Sequence, residues 1–352
     1  MTAADEPLRV GVLGAARIAE LAIVEPAHAT GTRLVVVAAR DRARAEAFAA
    51  AHGVERATDS YSEVLADPDV DVVYNPLPNA LHGPWNLAAV TAGKHVLSEK
   101  PFASTAEEAV EVRDAAVKAG VTVVEGFHYL FHPVMQRLFG LLDSGELGDL
   151  QRVEALIAMP APDEGDPRWS FDLAGGALMD LGCYGLHAHR VLGRWAGGEP
   201  DLIDARAGER AGKPGVDEWL EADLRFPSGA TGTMRCSMAH PQFEMTLRVM
   251  GSRGEAVVMD FVQPHKDDRV VVSTESGTRT EHLGTRSSYL YQLEVFLSAL
   301  RGGPPMPTGA DDAVVTAELI DRCYRATGLP LRPRTTVTGV DVTGTRPKED
   351  VR

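Results

Sequence analysis

Short apolar runs alternate with helix-like stretches over the N-terminal third of the chain. The apolar runs are continuous and rich in valine, as in parallel strands that are buried on both faces. They lie at 8–13, 34–39, 70–74, 95–97 and 121–124. Alanine-rich stretches with helical spacing separate them, at 17–27, 42–52, 81–92 and 105–119. Ser104 to Glu107 resembles a capping box at the start of the last stretch. The alternation predicts an α/β fold with a doubly wound parallel sheet.

Beyond residue 126 the pattern changes to strands joined by short turns that contain glycine, proline and serine. Neighbouring strands with such connections must be antiparallel. The strand-like runs lie at 152–158, 218–226, 232–238, 244–250, 255–259 and 269–273. Helical stretches lie at 134–142, 176–192, 289–300 and 311–326. We therefore predict a nucleotide-binding domain over 1–126 and an α+β domain with a large open antiparallel sheet over 127–334. Residues 335–352 form a tail that we expect to be disordered.

Composition narrows the class of protein. The 352 residues suit two domains, and the net charge of -15 argues against binding to nucleic acid or to an anionic membrane surface. Three scattered cysteines are too few for a disulfide framework or a four-cysteine zinc site. The sequence has neither a signal-peptide pattern nor an apolar run of the ~20 residues that cross a bilayer. We expect a soluble, cytoplasmic protein that works on a small molecule.

The turn after the first predicted strand reads Gly-Ala-Ala-Arg-Ile-Ala. A dinucleotide-binding fingerprint has glycine at the first, third and sixth places of such a turn, with alanine allowed at the sixth. Only the first glycine is present, so the motif alone is weak, but its place between the first strand and the first helix favours a diphosphate at the helix N-terminus. The candidate cofactor-binding residues of this turn are Gly14, Ala15, Ala16, Arg17 and Ile18.

The end of the second predicted strand bears on the choice of cofactor. NAD-binding proteins place Asp or Glu there to bind the ribose hydroxyls. Here Ala39 is followed by Arg40, whose guanidinium suits a 2′-phosphate, and Arg42 or Arg44 could add charge. The alternative is that Arg40 is a solvated loop residue and Asp41 binds the ribose of NAD. We predict that NADP(H) is preferred and that NAD(H) is possible.

Three ordered motifs are more specific than the fold pattern. Asn-Pro-Leu-Pro-Asn-Ala-Leu-His begins at Asn75, Glu-Lys-Pro begins at Glu99, and Gly-Gly-Ala-Leu-Met-Asp-Leu-Gly-Cys-Tyr begins at Gly175. Together they resemble the glucose–fructose oxidoreductase, inositol dehydrogenase and rhizopine-catabolism (Gfo/Idh/MocA) family. The resemblance covers residues 7 to 330. Tyr184 stands where many members have histidine, which is similar to the branch of NADP-dependent xylose and dihydrodiol dehydrogenases.

The resemblance implies a Rossmann domain followed by a sheet domain that is often used for dimerisation. It implies NAD(P)-dependent oxidation or reduction of a hydroxyl–carbonyl pair, usually on a sugar, a polyol or a cyclic diol. The family lysine falls on Lys100 and the family aspartate on Asp180. A homodimer or homotetramer formed through the C-terminal sheet is expected.

The chemistry requires a group that exchanges a proton with the substrate oxygen. The ordinary tyrosine pKa of about 10 is too high for a base at neutral pH, but a nearby ammonium lowers it. Tyr184 can therefore carry the proton with Lys100 as its electrostatic partner. The reverse assignment, with a desolvated Lys100 as the acid–base, is also open. Asp180 would orient Lys100 or hold a substrate hydroxyl.

Further candidates follow the strand ends and the second domain. The predicted cofactor contacts outside the first two strands are Pro76, Leu77, Asn79, His82, Glu99 and Lys100. His82 is alternatively a helix-start residue without a ligand. The predicted substrate contacts are Lys100, His128, Arg168, Trp169, Asp180, Tyr184 and His187. The aromatic segment around His128 is alternatively a hinge with core aromatics. Cys183, His187 and His189 lack a fourth ligand, so we predict no metal.

The sequence leaves two other functions open. The first is an NADPH-dependent ketoreductase of a nucleotide-linked deoxysugar, which would need a basic, aromatic pocket for the diphosphate. The second is a cofactor-sensing regulatory protein without turnover. Lys100 and Tyr184 argue against the sensor, because a sensor needs no proton carrier.

Overall fold

A computed structural model describes residues 6–337, which form two compact units. The first unit contains residues up to Gly126, then Tyr289–Ala317, and the described residues from Arg334 onward. The second contains Phe127–Ser288 and Glu318–Pro333. The chain crosses between the units near the predicted boundary at 126 and also returns to the first unit later. Most of the predicted tail lies outside the described residues.

The first unit is built on a six-stranded sheet in which all strands are parallel. Its order is β3-β2-β1-β4-β5-β6. The strands are β1 (Arg9–Leu13), β2 (Arg33–Ala38), β3 (Arg56–Thr58), β4 (Val72–Asn75), β5 (His95–Ser98) and β6 (Val123–Glu125). The doubly wound parallel sheet is thus confirmed. The sequence pattern missed β3, because its three residues are too short to form an apolar run.

Helices cover this sheet. After β1 the chain forms α1 (Arg17–Ala19), a π-helical segment (Glu20–Val24) and α2 (Glu25–Thr30) without a break. The others are α3 (Arg42–His52), α4 (Tyr61–Ala66), α5 (His82–Thr91) and α6 (Ala106–Ala119). One core cluster includes Leu13, Val73 and Val112 together with Ala313 and Val314 from the C-terminal part of the chain. These last contacts explain why the chain returns to the first unit.

The start of α6 differs by one residue from the predicted capping box. Thr105 is the N-cap, and its hydroxyl accepts from the Glu108 amide at 3.3 Å. The Glu108 carboxylate in turn accepts from the Ser104 amide at 2.7 Å. A capping box needs its acidic residue three places after the cap. With Thr105 as the cap, that residue is Glu108 and not Glu107.

The second unit contains an eight-stranded sheet of order β14-β13-β12-β11-β7-β10-β9-β8. Its strands are β7 (Leu150–Ala158), β8 (Asp201–Glu209), β9 (Asp217–Arg225), β10 (Thr231–Ser237), β11 (Glu244–Gly251), β12 (Gly254–Val258), β13 (Arg269–Thr274) and β14 (Gly277–His282). The sheet is mostly antiparallel, but β7 and β10 run parallel. After β7 the chain passes to the far edge at β8 and returns through β9, which brings β10 beside β7 in the same direction. The sequence pattern missed β8 and β14, the two edge strands, because β8 has few apolar residues and β14 has none.

Helices pack on this sheet. They are α7 (Pro133–Asp143), a π-helical segment (Leu178–Gly182) and α8 (Cys183–Leu192). A Cβ at Gly182 would lie 2.8 Å from the Cys236 sulfur, and one at Gly185 would lie 2.5 Å from Met234. Glycine at these two places therefore brings the helix close to β10. The chain then continues through α9 (Ser288–Leu300) and α10 (Ala310–Thr327). None of the helices within residues 6–337 is long and apolar enough to cross a membrane.

Glu108 gives the first unit a testable pH dependence. The side chain is buried, and burial raises its pKa from 4.5 to about 7. The folded state therefore holds this proton at a pH where the unfolded chain has released it. The contribution of Glu108 to stability consequently falls as the pH rises from about 4.5 to 7. We expect Glu108→Gln to remove this loss, which is up to about 3 kcal/mol for the full shift.

The measurement is urea unfolding at pH 5 and at pH 8 for both proteins. The unmodified protein should lose more stability between the two pH values than Glu108→Gln loses. Glu107→Gln is the matched control, since the Glu107 side chain is 74% exposed in its ion pair with Arg334. An equal pH dependence in all three proteins would contradict the prediction.

Candidate active site

The switch point of the parallel sheet lies between β1 and β4, where the loops after these strands meet. Ligands of doubly wound sheets bind in this crevice. Gly14 directly follows β1 and has a φ of +103°, and its amide donates to the Ala38 carbonyl at 2.7 Å. A Cβ at Gly14 would lie 3.1 Å from the Leu77 side chain. The first residue of the predicted fingerprint is therefore a glycine for both conformational and steric reasons.

The helix that follows begins without a side-chain cap. Ala16 is the N-cap residue and makes no side-chain hydrogen bond to the first turn. Ala15, Ala16 and Ile18 are half-buried, and the Arg17 side chain is exposed. Uncapped amides at a helix N-terminus favour an anion. The close backbone turn and these amides suit the diphosphate of a nicotinamide dinucleotide.

The loop after β2 bears on the choice between NADP(H) and NAD(H). The Asp41 carboxylate caps α3, where it accepts from the amides of Ala43 at 2.9 Å and Arg44 at 3.3 Å. Arg40, which follows the buried Ala39, is exposed and forms no hydrogen bond or ion pair with any residue in 6–337. The residue expected to bind the ribose of NAD is thus engaged in the helix, while Arg40 is available.

The two further arginines suggested by the sequence have partners. Arg42 forms an exposed ion pair with Glu46 at 2.9 Å. Arg44 donates to the Ala15 carbonyl at 3.3 Å and so links α3 to the glycine turn.

His82 connects the loops that follow β4 and β5. Its ring is buried, with Nδ1 2.6 Å from the Pro101 carbonyl and Nε2 2.6 Å from the Leu77 carbonyl. Burial lowers the pKa of His82 to about 4 although the two carbonyls oppose this shift. The neutral ring donates to one carbonyl. His82 therefore holds the two loops together. This structural role agrees with the alternative that His82 is a helix-start residue without a ligand. Pro76 and Leu77 are buried in the same loop, and Asn79 is half-buried.

The loop after β5 carries the Glu-Lys-Pro motif. The buried Glu99 carboxylate accepts from the Tyr74 hydroxyl at 2.9 Å, and burial followed by the Glu99 charge raises the pKa of Tyr74 well above its usual value. Lys100 is half-buried, and its peptide bond to Pro101 is cis. The motif thus has a buried carboxylate that anchors the loop and a partly accessible lysine.

In the second unit, the glycine motif shapes the start of a helix. Gly176 has a φ of +131°, and a Cβ there would lie 2.7 Å from Arg332. A Cβ at Gly175 would lie 2.3 Å from the Arg168 carbonyl oxygen. The chain then forms a π-helical turn that contains Asp180, and Tyr184 follows in the first turn of α8. Both glycines are required by close packing around this helix start.

A buried carboxylate anchors the same helix start. Asp217 accepts from the Leu178 amide at 2.7 Å and from the Tyr324 hydroxyl at 3.0 Å. It also forms an ion pair with Arg332, and both side chains are fully buried. The Arg332 guanidinium lies over the Tyr324 ring, 4.0 Å from its centroid. Burial raises the pKa of Asp217, and the positive charge of Arg332 opposes this shift.

Asp180 has a charged partner within the second unit. The Arg168 Nε donates to its carboxylate at 2.7 Å, and Arg168 also pairs with Asp166 at 3.3 Å. The Asp180 charge is the main cause that raises the pKa of Arg168. Arg168 remains 37% exposed at its side chain. Two carboxylates and one guanidinium thus form a polar patch that can bind uncharged hydroxyl groups.

The Tyr184 hydroxyl is held by a buried chain of hydrogen bonds. It lies 3.1 Å from Nε2 of His128, whose Nδ1 lies 2.8 Å from the Ser288 hydroxyl. Phe127 packs against the Tyr184 ring in an edge-on arrangement. His128 therefore contacts Tyr184 directly.

Two of the predicted substrate contacts are interior residues. The Trp169 indole is 2% exposed and donates to the Pro162 carbonyl at 3.1 Å. His187 is fully buried, stacks on Phe127 at 4.0 Å between ring centroids, and lies 2.7 Å from the Tyr129 hydroxyl. These positions favour the reading of the aromatic segment as core. The Trp169 indole nitrogen and Nδ1 of His187 thus bind protein groups, and contact of these two residues with the substrate stays a prediction.

Several residues at the site were not identified from the sequence. Asp217, Arg332 and Ser288 come from distant parts of the chain and carry no local motif. The proline-containing segment before Arg332 looks like an exposed tail in the sequence, and only the fold places it against β9. Within residues 6–337 no cluster of three or more His, Cys, Asp or Glu side chains could hold a metal ion.

Comparison with known proteins follows the same division of the chain. Residues 8–127 match the model of an oxidoreductase family with an NAD-binding Rossmann fold, and residues 135–257 match the GFO/IDH/MocA C-terminal domain. The NADP(+)-dependent D-xylose 1-dehydrogenase 2 of Haloferax volcanii is 34% identical over 90% of this chain and 96% of its own. A dTDP-3,4-didehydro-2,6-dideoxy-alpha-D-glucose 3-reductase of Streptomyces antibioticus is 34% identical over 90% of this chain and 95% of its own.

A solved structure is similar over nearly the whole length. The 3-ketoreductase KijD10 from Actinomadura kijaniata, crystallised with NADP and TDP-benzene, superposes with a TM-score of 0.84. The two chains are 28% identical, and the match covers 91% of this chain and 98% of that one.

Proposed function

The chain belongs to the Gfo/Idh/MocA family of oxidoreductases, and we propose that it is an NADP(H)-dependent dehydrogenase of a sugar, a polyol or a vicinal diol. The observation that carries this proposal is the Tyr184 hydroxyl, held by His128 at the start of a helix whose preceding turn contains Asp180. This arrangement provides a proton carrier next to groups that bind hydroxyls. When bound, the nicotinamide accepts or supplies the hydride.

We assign proton transfer to Tyr184. In the oxidative direction its oxygen takes the proton of the substrate hydroxyl, and in the reductive direction it returns a proton to the carbonyl oxygen. Lys100 is the electrostatic partner that favours the phenolate, and the ion-paired Asp180 and Arg168 orient neighbouring substrate hydroxyls. The Rossmann unit holds the cofactor through the glycine turn and the loop after β4.

Substitution of the residues assigned to proton transfer should lower turnover without weakening the binding of NADPH. We expect Lys100→Ala and Tyr184→Phe each to lower turnover by about 10²–10⁴-fold, as for loss of a positioned acid–base group. The affinity for NADPH should stay within about threefold, because the glycine turn and Arg40 are unchanged. Nicotinamide absorbance, followed over aldoses, inositols, cyclic diols and nucleotide-linked ketosugars, gives turnover. Fluorescence titration gives the affinity.

The panel also tests the alternative substrate. Turnover with free sugars or diols that Lys100→Ala abolishes would support the proposal. Turnover limited to nucleotide-linked ketosugars would instead identify a ketoreductase, as the named relatives suggest. NADPH binding with no turnover anywhere in the panel would contradict the enzyme proposal and support a sensor.

Arg40 carries our proposal for NADP(H) over NAD(H). An exposed arginine without a protein partner can bind the 2′-phosphate, while the carboxylate that NAD would need caps α3. We expect Arg40→Ala to weaken NADPH by about 10–100-fold, the value of a charge-assisted hydrogen bond, and NADH by less than about threefold.

Fluorescence titration with both cofactors measures this difference. Arg42→Ala is the matched control, because Arg42 has the same charge two residues away but is paired with Glu46. If Arg40→Ala weakens NADPH and NADH equally, then Arg40 does not bind the phosphate.

We also propose that two copies associate through the face of the eight-stranded sheet opposite α8. On this face arginines alternate with carboxylates: Arg235 pairs with Glu221, and Arg248 pairs with Glu154 and Glu255. Such a pattern is complementary to a second copy of itself under two-fold rotation. Exposed Trp219 on the same strand as Glu221 adds apolar area.

Sedimentation equilibrium tests this association. We expect a dimer or a tetramer that the double variant Arg235→Glu, Arg248→Glu dissociates. Arg33→Glu, which changes an exposed ion pair of the first unit, should leave the assembly intact. A monomer at micromolar concentration would rule out the proposed interface.

A cytoplasmic location and the absence of nucleic-acid binding complete the proposal. The three cysteines are buried free thiols, which suits a reducing compartment. The net charge of -15 disfavours contact with phosphate backbones.

A further inference from the structure

The hydrogen-bond chain behind Tyr184 consists of three buried side chains. Tyr184 is 5% exposed, and His128 and Ser288 are fully buried. The phenolic oxygen lies 3.1 Å from Nε2 of His128, and Nδ1 of the same ring lies 2.8 Å from the Ser288 hydroxyl. A buried hydrogen bond to a group that gains and loses a proton influences the pKa of that group.

Hydroxyl partners at both ring nitrogens distinguish His128 from the buried His82 and His189. In His82 and His189, both ring nitrogens face backbone carbonyls. A carbonyl only accepts, so a ring nitrogen that faces a carbonyl makes a hydrogen bond only when it carries the hydrogen. A serine hydroxyl also donates. Nδ1 of His128 can therefore accept from Ser288, which leaves the ring hydrogen on Nε2 for Tyr184.

We propose that His128, supported by Ser288, is a positioning residue that stabilises the Tyr184 phenolate. Ser288 donates to Nδ1, and Nε2–H donates to the phenolic oxygen. In the oxidative direction the substrate O–H bond breaks and a new O–H bond forms at Tyr184, while His128 keeps its single proton. In the reductive direction the phenol gives that proton to the substrate oxygen, and the phenolate left behind is again hydrogen-bonded. This inference rests on the proposed role of Tyr184 as the proton carrier.

A hydrogen bond that exists in full strength only with the charged form lowers the pKa of the phenol. The His128→Met variant replaces the ring with an apolar side chain of similar size. We expect it to raise the pKa of Tyr184 by about 1–2 units, the equivalent of one charge-assisted hydrogen bond. Turnover at neutral pH should fall by the corresponding ~10–100-fold and should recover as the pH rises. A purely structural defect would lower turnover equally at every pH.

The first measurement needs neither substrate nor cofactor. Alkaline titration of the protein alone, followed by the near-ultraviolet absorbance of tyrosinate, gives the Tyr184 midpoint as the difference from Tyr184→Phe. The midpoint should be higher in His128→Met. His189→Met is the matched control, because it removes a buried histidine from α8, the helix that carries Tyr184, without touching a tyrosine hydroxyl. It should leave the midpoint unchanged.

Ser288 supplies a second test that does not depend on the folding of the His128 variant. Threonine and valine have nearly the same shape, but only threonine retains a hydroxyl. Ser288→Val should raise the Tyr184 midpoint by roughly half of the His128→Met shift or more, and Ser288→Thr should restore it.

An unchanged midpoint in both His128→Met and Ser288→Val would overturn the inference. If the midpoint shifts as expected and no substrate of the panel is turned over, His128 does stabilise the Tyr184 phenolate and only the proposed function fails. If turnover occurs and the midpoint does not move, the proposed function stands without this role for His128.

Discussion

The ion pair between Asp217 and Arg332 is the interaction on which the start of the helix that carries Tyr184 depends. Both side chains are fully buried, and the Asp217 carboxylate also holds the first amide of the turn that contains Asp180. Removal of one partner of a buried pair costs about 3–5 kcal/mol, because the other charge is left uncompensated. Gly176 lies directly against this pair, so any side chain at that position would displace it. Glycine is therefore required at 176 because a charge pair occupies the space that a Cβ would take.

The partners of the buried histidines decide what each ring can do. Carbonyls surround the rings of His82 and His189, which are consequently fixed as neutral braces between backbone segments. Burial lowers the pKa of both rings, in keeping with this role. His128 differs only in that hydroxyls replace the carbonyls. The same side chain is thus a structural brace in one setting and, in the role we propose for His128, a partner of the proton carrier in another. Burial alone would not distinguish the two.

The parts of the fold that were predictable from the sequence are those that repeat a local pattern. Valine-rich runs marked five of the six parallel strands of the first unit, and the sixth, β3, is too short for such a run. In the second unit, β8 and β14 are too polar to be recognised as strands. The cap of α6 was displaced by one residue because Glu107 and Glu108 both fit the motif, and only the geometry of the turn selects between them. Asp217, Arg332 and Ser288 could not be identified, since their importance comes from contacts between residues far apart in the chain. The sequence does not show that Trp169, a predicted substrate contact, has a buried ring, since this burial also comes from the fold.

Both π-helical segments begin within a turn of candidate site residues. Glu20–Val24 follows the glycine turn at the switch point of the parallel sheet, and Leu178–Gly182 contains Asp180 and leads directly into Tyr184. A π-helical turn accommodates one more residue than an α-helical turn and rotates the side chains that precede it relative to those that follow. Its weaker hydrogen-bond geometry is tolerated where other contacts hold the helix start, as Asp217 does for Leu178. Asp180 therefore lies in the irregular turn, whereas α8 packs on β7 and β10. Different residues can then serve the site and the packing of the helix.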